Sequence, residues 1–155
     1  MKPPAARRPP MAATPSPSAR SPAQGAAMPP RKIQLMFIDD DPDIRSIFAF
    51  AFEQEPDMEI RLCASSIDAI ACAEAAPPDI ILLDVMMPEM DGPKTFSRLK
   101  AIPALASTPI IFITAKVQKH EIEKLKQLGA AAVIEKPFNP LALPGQIRAL
   151  AQKID

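Results

Sequence analysis

The 155-residue chain sets 18 Lys and Arg against 18 Asp and Glu and holds two Cys and one His, enough for one domain with a buried core and too little for two ordinary ones. The balance hides a division: residues 1–32 carry six basic and no acidic groups, leaving twelve basic against eighteen acidic over 33–155, an acidic body that argues against nucleic acid as the main partner. No apolar stretch approaches the roughly 18 residues that span a bilayer, and one His with a Cys63–Cys72 pair leaves a zinc framework or a Ser/His/Asp triad without material.

Nine of the twenty prolines fall within residues 1–30, among Ala and Ser and without apolar periodicity. Residues 1–32 are therefore expected to be a disordered basic tail, unable to bury enough surface to offset the entropy of ordering. The prolines also break the amphipathic helix of a transit peptide, and the apolar region of a secretory signal is missing. Met28 offers an alternative start. The expected protein is soluble and cytoplasmic, with no membrane insertion.

From residue 33 short apolar runs alternate with helical patterns, as in βαβ units. A first strand over 33–38 is apolar throughout, as a central strand covered on both faces should be. A helix opens at Pro42 with Ile44, Ile47, Phe48, Ala51 and Phe52 at i, i+3, i+4, i+7 and i+8. A second strand over 58–63 alternates Met58, Ile60 and Leu62 with Glu59 and Arg61 and reads as an edge strand. Ser65 and Asp68 give a capped start to a second helix before Ile67, Ile70 and Ala71. Cys63 and Cys72 lie in apolar segments and are expected to be reduced core residues.

A third strand over 79–83 is apolar from Ile80 onward; a third helix opens at Pro93, turns Phe96 and Leu99 inward and ends by Pro103. Strand four spans 109–113, and helix four, about 118–128, puts Ile122, Leu125 and Leu128 on one stripe before Gly129. His120, among Lys119, Glu121 and Lys124, reads as a surface residue. Strand five spans 131–134, and a last helix after Asn139 and Pro140 turns Ile147, Leu150, Ala151 and Ile154 inward. Strict alternation of five strands and five helices predicts a three-layer α/β sandwich over 33–155.

Polar residues cluster where these strands end: Asp39 and Asp40 after the first, Asp84 after the third, Thr114 after the fourth and Lys136 after the fifth. In an open parallel sheet, ligands and chemistry gather beyond the carboxyl ends of the strands. Asp41, directly before Pro42, suits a helix N-cap instead. Asp39 and Asp40 suit Mg²⁺, which takes one or two carboxylates and completes its octahedron with water and phosphate oxygens. Asp84 could then act as a nucleophile and form an acyl phosphate. Lys136 would offset charge on the other side, its backbone restrained by Pro137, and Thr114 offers a hydroxyl at the same level.

In IDDDPDIR, LLDVMMPEMDG, FITAK and EKPF, taken in this order, the body resembles a response-regulator receiver domain. The resemblance implies a flavodoxin-like (βα)5 fold with sheet order 2-1-3-4-5 and a phosphoryl group taken by Asp84 from a sensor histidine kinase or histidine phosphotransfer protein. It further implies Mg²⁺ held by Asp39, Asp40, Asp84 and the Met86 carbonyl, Thr114 and Lys136 bonding the phosphoryl group, and a cis Lys136-Pro137 peptide. The family's usual aromatic three residues before the lysine is Val133 here, so signalling is expected to rely on the 115–120 loop and helix four. Because one helix follows strand five, a stand-alone, monomeric receiver is expected, one that binds an unknown downstream target through helix four, strand five and helix five. A phosphorelay intermediate or phosphate sink is the alternative within the family. Asp39-Asp40-Asp41 with Thr114 and Lys136 is also similar to haloacid-dehalogenase-like phosphatases, a reading that leaves Asp84 without a role and lacks that family's Thr after the second Asp.

Overall fold

A computed structural model describes residues 31–115 and 118–154; the tail expected over 1–32 falls almost wholly outside them, as does the Ile154 side chain. The body beginning at Lys32 is one compact unit. Its elements are β1 (Ile33–Ile38), α1 (Pro42–Glu53), β2 (Met58–Cys63), α2 (Ser66–Ala75), β3 (Ile80–Asp84), α3 (Gly92–Lys100), a 3-10 turn (Pro103–Leu105), β4 (Ile110–Thr114), α4 (Lys119–Gln127), β5 (Ala132–Glu135) and α5 (Leu143–Ile154). The strands form one sheet in the order β2-β1-β3-β4-β5, every pairing parallel. This is the expected three-layer flavodoxin-like fold, with β2 at an edge.

Alternation along the strands builds the two apolar layers. Leu35 and Phe37 of β1, Leu82 of β3 and Ile111 and Ile113 of β4 meet Phe48 and Phe52 of α1 and Leu143 and Ile147 of α5. On the other face Met36, Ile38, Ile81, Leu83 and Phe112 meet Ala69 and Ala73 of α2, Phe96 and Leu99 of α3 and Leu125 of α4. The central strands β3 and β4 are buried along their whole length, which is why they read as unbroken apolar runs.

Several expectations are corrected in detail. β3 and β4 run one residue further than their apolar runs, so Asp84 and Thr114 are the last residues of the ladders rather than the first of the loops. Ile47, Leu62, Ile67 and Leu128 are exposed instead of inward. In α2 the buried positions are Ser66, Ala69 and Ala73; small residues let the helix lie close on the sheet and turn Ile67 to solvent. Leu62 is exposed because an edge strand has a neighbour on one side only. Cys63 is buried as expected, whereas Cys72 is exposed. Pro103 opens the 3-10 turn, α3 having already ended at Lys100.

Two local devices carry this frame to the site. Phe37 and Phe48 stack with ring centroids 3.6 Å apart, and Phe138 meets Phe48 edge-on at 5.0 Å. The aromatic cluster thereby joins β1 and α1 to the segment just after Lys136. Arg148 of α5 donates Nε and Nη2 to the two oxygens of Asp57, each at 2.9 Å, a planar fork that ties α5 to the turn before β2. Phe48→Ala should lower unfolding free energy by about 3–5 kcal/mol. Urea titration should show this as a lower midpoint at unchanged slope.

Candidate functional site

Backbone hydrogen bonds hold Asp39 in place. Its N–H donates to the Cys63 carbonyl at 3.1 Å, and its own carbonyl accepts Arg45 Nη1 at 2.8 Å. Its Oδ1 accepts the Asp41 N–H at 2.9 Å. Asp41 caps α1 as expected, accepting the Asp43 N–H at 2.9 Å, while the two acids before it differ, Asp39 being buried and Asp40 exposed.

Asp84 closes β3 with 4% of its surface exposed. β1 and β3 are neighbours, Ile38 pairing with Leu83, so Asp39 and Asp84 leave the sheet side by side. Lys136 reaches both, its Nζ lying 3.1 Å from Asp84 Oδ1 and 3.3 Å from Asp39 Oδ2. The lysine is itself fixed, because its N–H donates to the Thr114 carbonyl at 2.8 Å; the peptide to Pro137 is cis, as the resemblance implies. Thr114 is buried at the end of β4 and lines a cavity of about 540 Å³ with Val85, Met86, Lys124 and Leu125. Asp84 and Lys136 do not line that cavity, so the charged crevice and the apolar recess are adjoining features.

Three contributors escape the sequence reading. Gly92 is needed because a Cβ there would stand 2.8 Å from Val85 Cα and 3.0 Å from the Asp84 carbonyl oxygen; its N–H donates to the Val85 carbonyl at 2.9 Å. The Asp91-Gly92 turn signal is visible in the sequence, but the close approach behind it is not. Arg45 looks like a solvated helix residue, and the Cys63 carbonyl is a backbone group with no sequence signature. Met86, a candidate by resemblance only, has an exposed side chain and a backbone hydrogen bond to Asp84.

The charges do not balance. Burial, and then the neighbouring Asp39, push the Asp84 carboxyl above the usual carboxylate range, with Lys136 and the Met86 backbone opposing. Burial alone would lower Lys136, but Asp84 and Asp39 together carry it above its ordinary value. One carboxylate oxygen from each of Asp39, Asp40 and Asp84 lies within 4.8 Å of the others. An all-oxygen donor set with one ammonium against three carboxylates fits a hard dication such as Mg²⁺.

The direction of each shift fixes its effect on stability. A raised carboxyl stabilises the fold below the ordinary carboxylate range, and that contribution is lost as pH rises through its folded-state value. A raised lysine stabilises throughout neutral pH and is lost only in alkali. Asp84→Asn should therefore stabilise the fold at neutral pH, on the order of 1 kcal/mol, with the gain disappearing in acid. Lys136→Met, leaving two buried carboxylates opposed, should cost about 3–5 kcal/mol at neutral pH and recover in acid; chemical denaturation across pH measures both. Gly92→Ala should cost about 1–3 kcal/mol by the same assay, because backbone must give way.

A family model for the response regulator receiver domain matches residues 35–148. The response regulator Rre1 of Synechocystis sp. is 29% identical over 118 residues, 76% of this chain and 51% of Rre1. The transcriptional regulatory protein YvrH of Bacillus subtilis is 36% identical over 117 residues, 74% of this chain and 47% of that protein. The chain thus spans about half the length of these two relatives. Among solved structures, the chemotaxis response regulator CheY4 of Vibrio cholerae matches with a TM-score of 0.71 at 27% identity, covering 77% of this chain and 98% of its own. With sheet order and sequence match in agreement, the chain belongs to the response regulator receiver domains of two-component systems.

Proposed function

We propose that Asp84 is a phosphoryl acceptor and that its modification switches a binding surface. The observation that carries this reading is a buried carboxylate at the end of β3, held 3.1 Å from a lysine ammonium and beside two further acids. An Asp84 oxygen attacks phosphorus, the phosphorus–nitrogen bond of a phosphohistidine on a sensor histidine kinase or histidine phosphotransfer protein breaks, and an acyl phosphate forms. Mg²⁺ bound by Asp39, Asp40, Asp84 and the Met86 carbonyl would neutralise charge gathering on the transferring group. Lys136, freed from part of its pairing with Asp84, turns its ammonium to a phosphoryl oxygen, and the Thr114 hydroxyl donates to another.

The same reading assigns residues 33–155 to the receiver, as a cytoplasmic monomer, and residues 1–32 to a tail. Val133 packs against the second core layer without being fully buried and has no ring to exchange between rotamers. The signal is therefore assigned to the 115–120 loop, of which residues 116 and 117 lie outside the described residues, and to α4, beside the recess that Thr114 lines. Lys119, Lys124 and Lys126 of α4 would meet an acidic partner surface. Among the described residues no helix is long and apolar enough to cross a membrane.

Intact-mass analysis after treatment with acetyl phosphate and Mg²⁺ tests the proposal. Wild-type protein should gain one phosphoryl group, Asp84→Asn none, and Thr114→Ala should be labelled yet lose the change in target binding. Labelling that survives in Asp84→Asn would sink the assignment. Loss of labelling in Asp39→Asn alone, with rapid turnover of phosphate esters, would instead favour a phosphatase in which Asp39 is the nucleophile. Asp39 holds the Asp41 N–H with one oxygen and Lys136 with the other, a positioning part beside Asp84 in this reading.

A further inference from the structure

β2 closes one side of the sheet, with β1 its single strand neighbour among the described residues. The carbonyls of Asp57 and Cys63 accept the N–H groups of Ile33 and Asp39 on the β1 side. Backbone groups alternate in direction along a strand, so the N–H and carbonyl of Ile60 and Leu62 face away from β1, as does the Met58 carbonyl. Among the described residues no hydrogen bond reaches the Ile60 or Leu62 backbone, whereas the Met58 N–H donates to the Glu55 carbonyl at 3.4 Å. Between these outward positions stand an acid and a base. Glu59 is exposed and accepts Gln34 Nε2 at 2.9 Å through Oε1; Arg61 is half-buried and donates Nη2 to the Ala76 carbonyl at 2.6 Å. One oxygen and one nitrogen are thus committed, and both head groups retain further acceptor and donor capacity.

We infer that this edge pairs with β2 of a second copy of the chain, antiparallel about a two-fold axis through Ile60. Outward-facing residues must meet in hydrogen-bonded pairs, so Ile60 lies opposite the partner's Ile60 and Met58 opposite the partner's Leu62. In that register Glu59 falls opposite the partner's Arg61, and Arg61 opposite the partner's Glu59, at the closer non-hydrogen-bonded positions. The order apolar, acid, apolar, base, apolar over 58–62 is its own complement. Setting Met58 opposite the partner's Ile60 instead would bring Glu59 against Glu59, and setting Ile60 opposite the partner's Leu62 would bring Arg61 against Arg61; like charges directly opposite select against both registers. Edges that resist pairing commonly carry Lys or Pro, and β2 has neither. The two-fold axis stands normal to the sheet, so the α1 layers of the two copies fall on the same side. Met58 and Ile60 pack into the core of that layer. Leu62 beyond them, and Ile47 and Phe50 one turn apart on α1, are exposed in the single copy, apolar surface at the side where the second copy docks. The single copy of the receiver reading becomes one side of a monomer–dimer equilibrium, and nothing in the pairing depends on Asp84 being phosphorylated.

Sedimentation velocity of the full-length protein up to millimolar concentration, with hydrogen exchange on dilute and concentrated samples, tests the pairing. Wild type should pass from monomer to dimer, and the Ile60 and Leu62 amides should exchange more slowly in the concentrated sample. Glu59→Arg alone and Arg61→Glu alone should each weaken the dimer about tenfold, since two cross-strand pairs turn from opposite to like charge. An equal mixture of the two single variants should regain wild-type affinity, because one strand then offers two bases and the other two acids. The double swap within one chain should regain it as well. Wild type that stays monomeric overturns the inference, as does a dimer whose Ile60 and Leu62 amides exchange as in the monomer. Association unchanged in either single variant, or a mixture no tighter than the variants alone, overturns it too.

Discussion

One ammonium is shared by two buried carboxylates, and the architecture of the site is arranged around that shortage. Lys136 sits 3.1 Å from Asp84 and 3.3 Å from Asp39, yet Asp84 remains harder to ionise than an ordinary carboxyl. Two acids taken out of water next to each other repel, and a single cation cannot offset the cost of burying both. The fold accepts this destabilisation at one end of its sheet while two apolar layers and the Arg148 fork hold the remainder. A site with unspent negative charge is poised to take up a dication, and an added phosphoryl group would redistribute the lysine's pairing.

Backbone groups supply the rigidity that charge alone could not. The Cys63 carbonyl orients Asp39, the Thr114 carbonyl orients Lys136, and the tight approach of Gly92 to Val85 closes the loop after Asp84. The first two bonds join the ends of neighbouring strands, and the third joins the start of the loop after β3 to the start of α3. The residues of the site are thereby tied to backbone rather than to one another's charges alone. The apolar recess beside Thr114 is lined in part by Lys124 and Leu125 of α4.

Much of this was legible in the residue order because two periodicities and one rule of topology govern it. Unbroken apolar runs mark β1, β3 and β4 as central; Pro42, Ser65, Pro93 and Gly129 punctuate the helices; acids, a hydroxyl and a lysine at successive strand ends mark the crevice. Errors fall where packing overrides pattern. Ile67 looks inward by composition, but α2 presents Ala69 and Ala73 because only small residues allow its close approach to the sheet. Cys72 looks like a core residue and lies on the outer flank of the same helix. Asp84 and Thr114 look like loop residues because they are polar, yet the hydrogen-bond ladder extends through both.

Residue order alone was enough for the kind of sheet, the edge position of β2, the division of Asp41 from Asp39 and Asp40, and the residue types that meet in the crevice. These are consequences of local propensity, capping and hydrophobic period, which act over a few residues. Closure of the chain alone brings one lysine to both Asp39 and Asp84, pushes Asp84 upward by burial and requires that Gly92 lack a Cβ. Those facts depend on distances across strands and on exclusion of water, quantities that exist only once the chain has closed on itself.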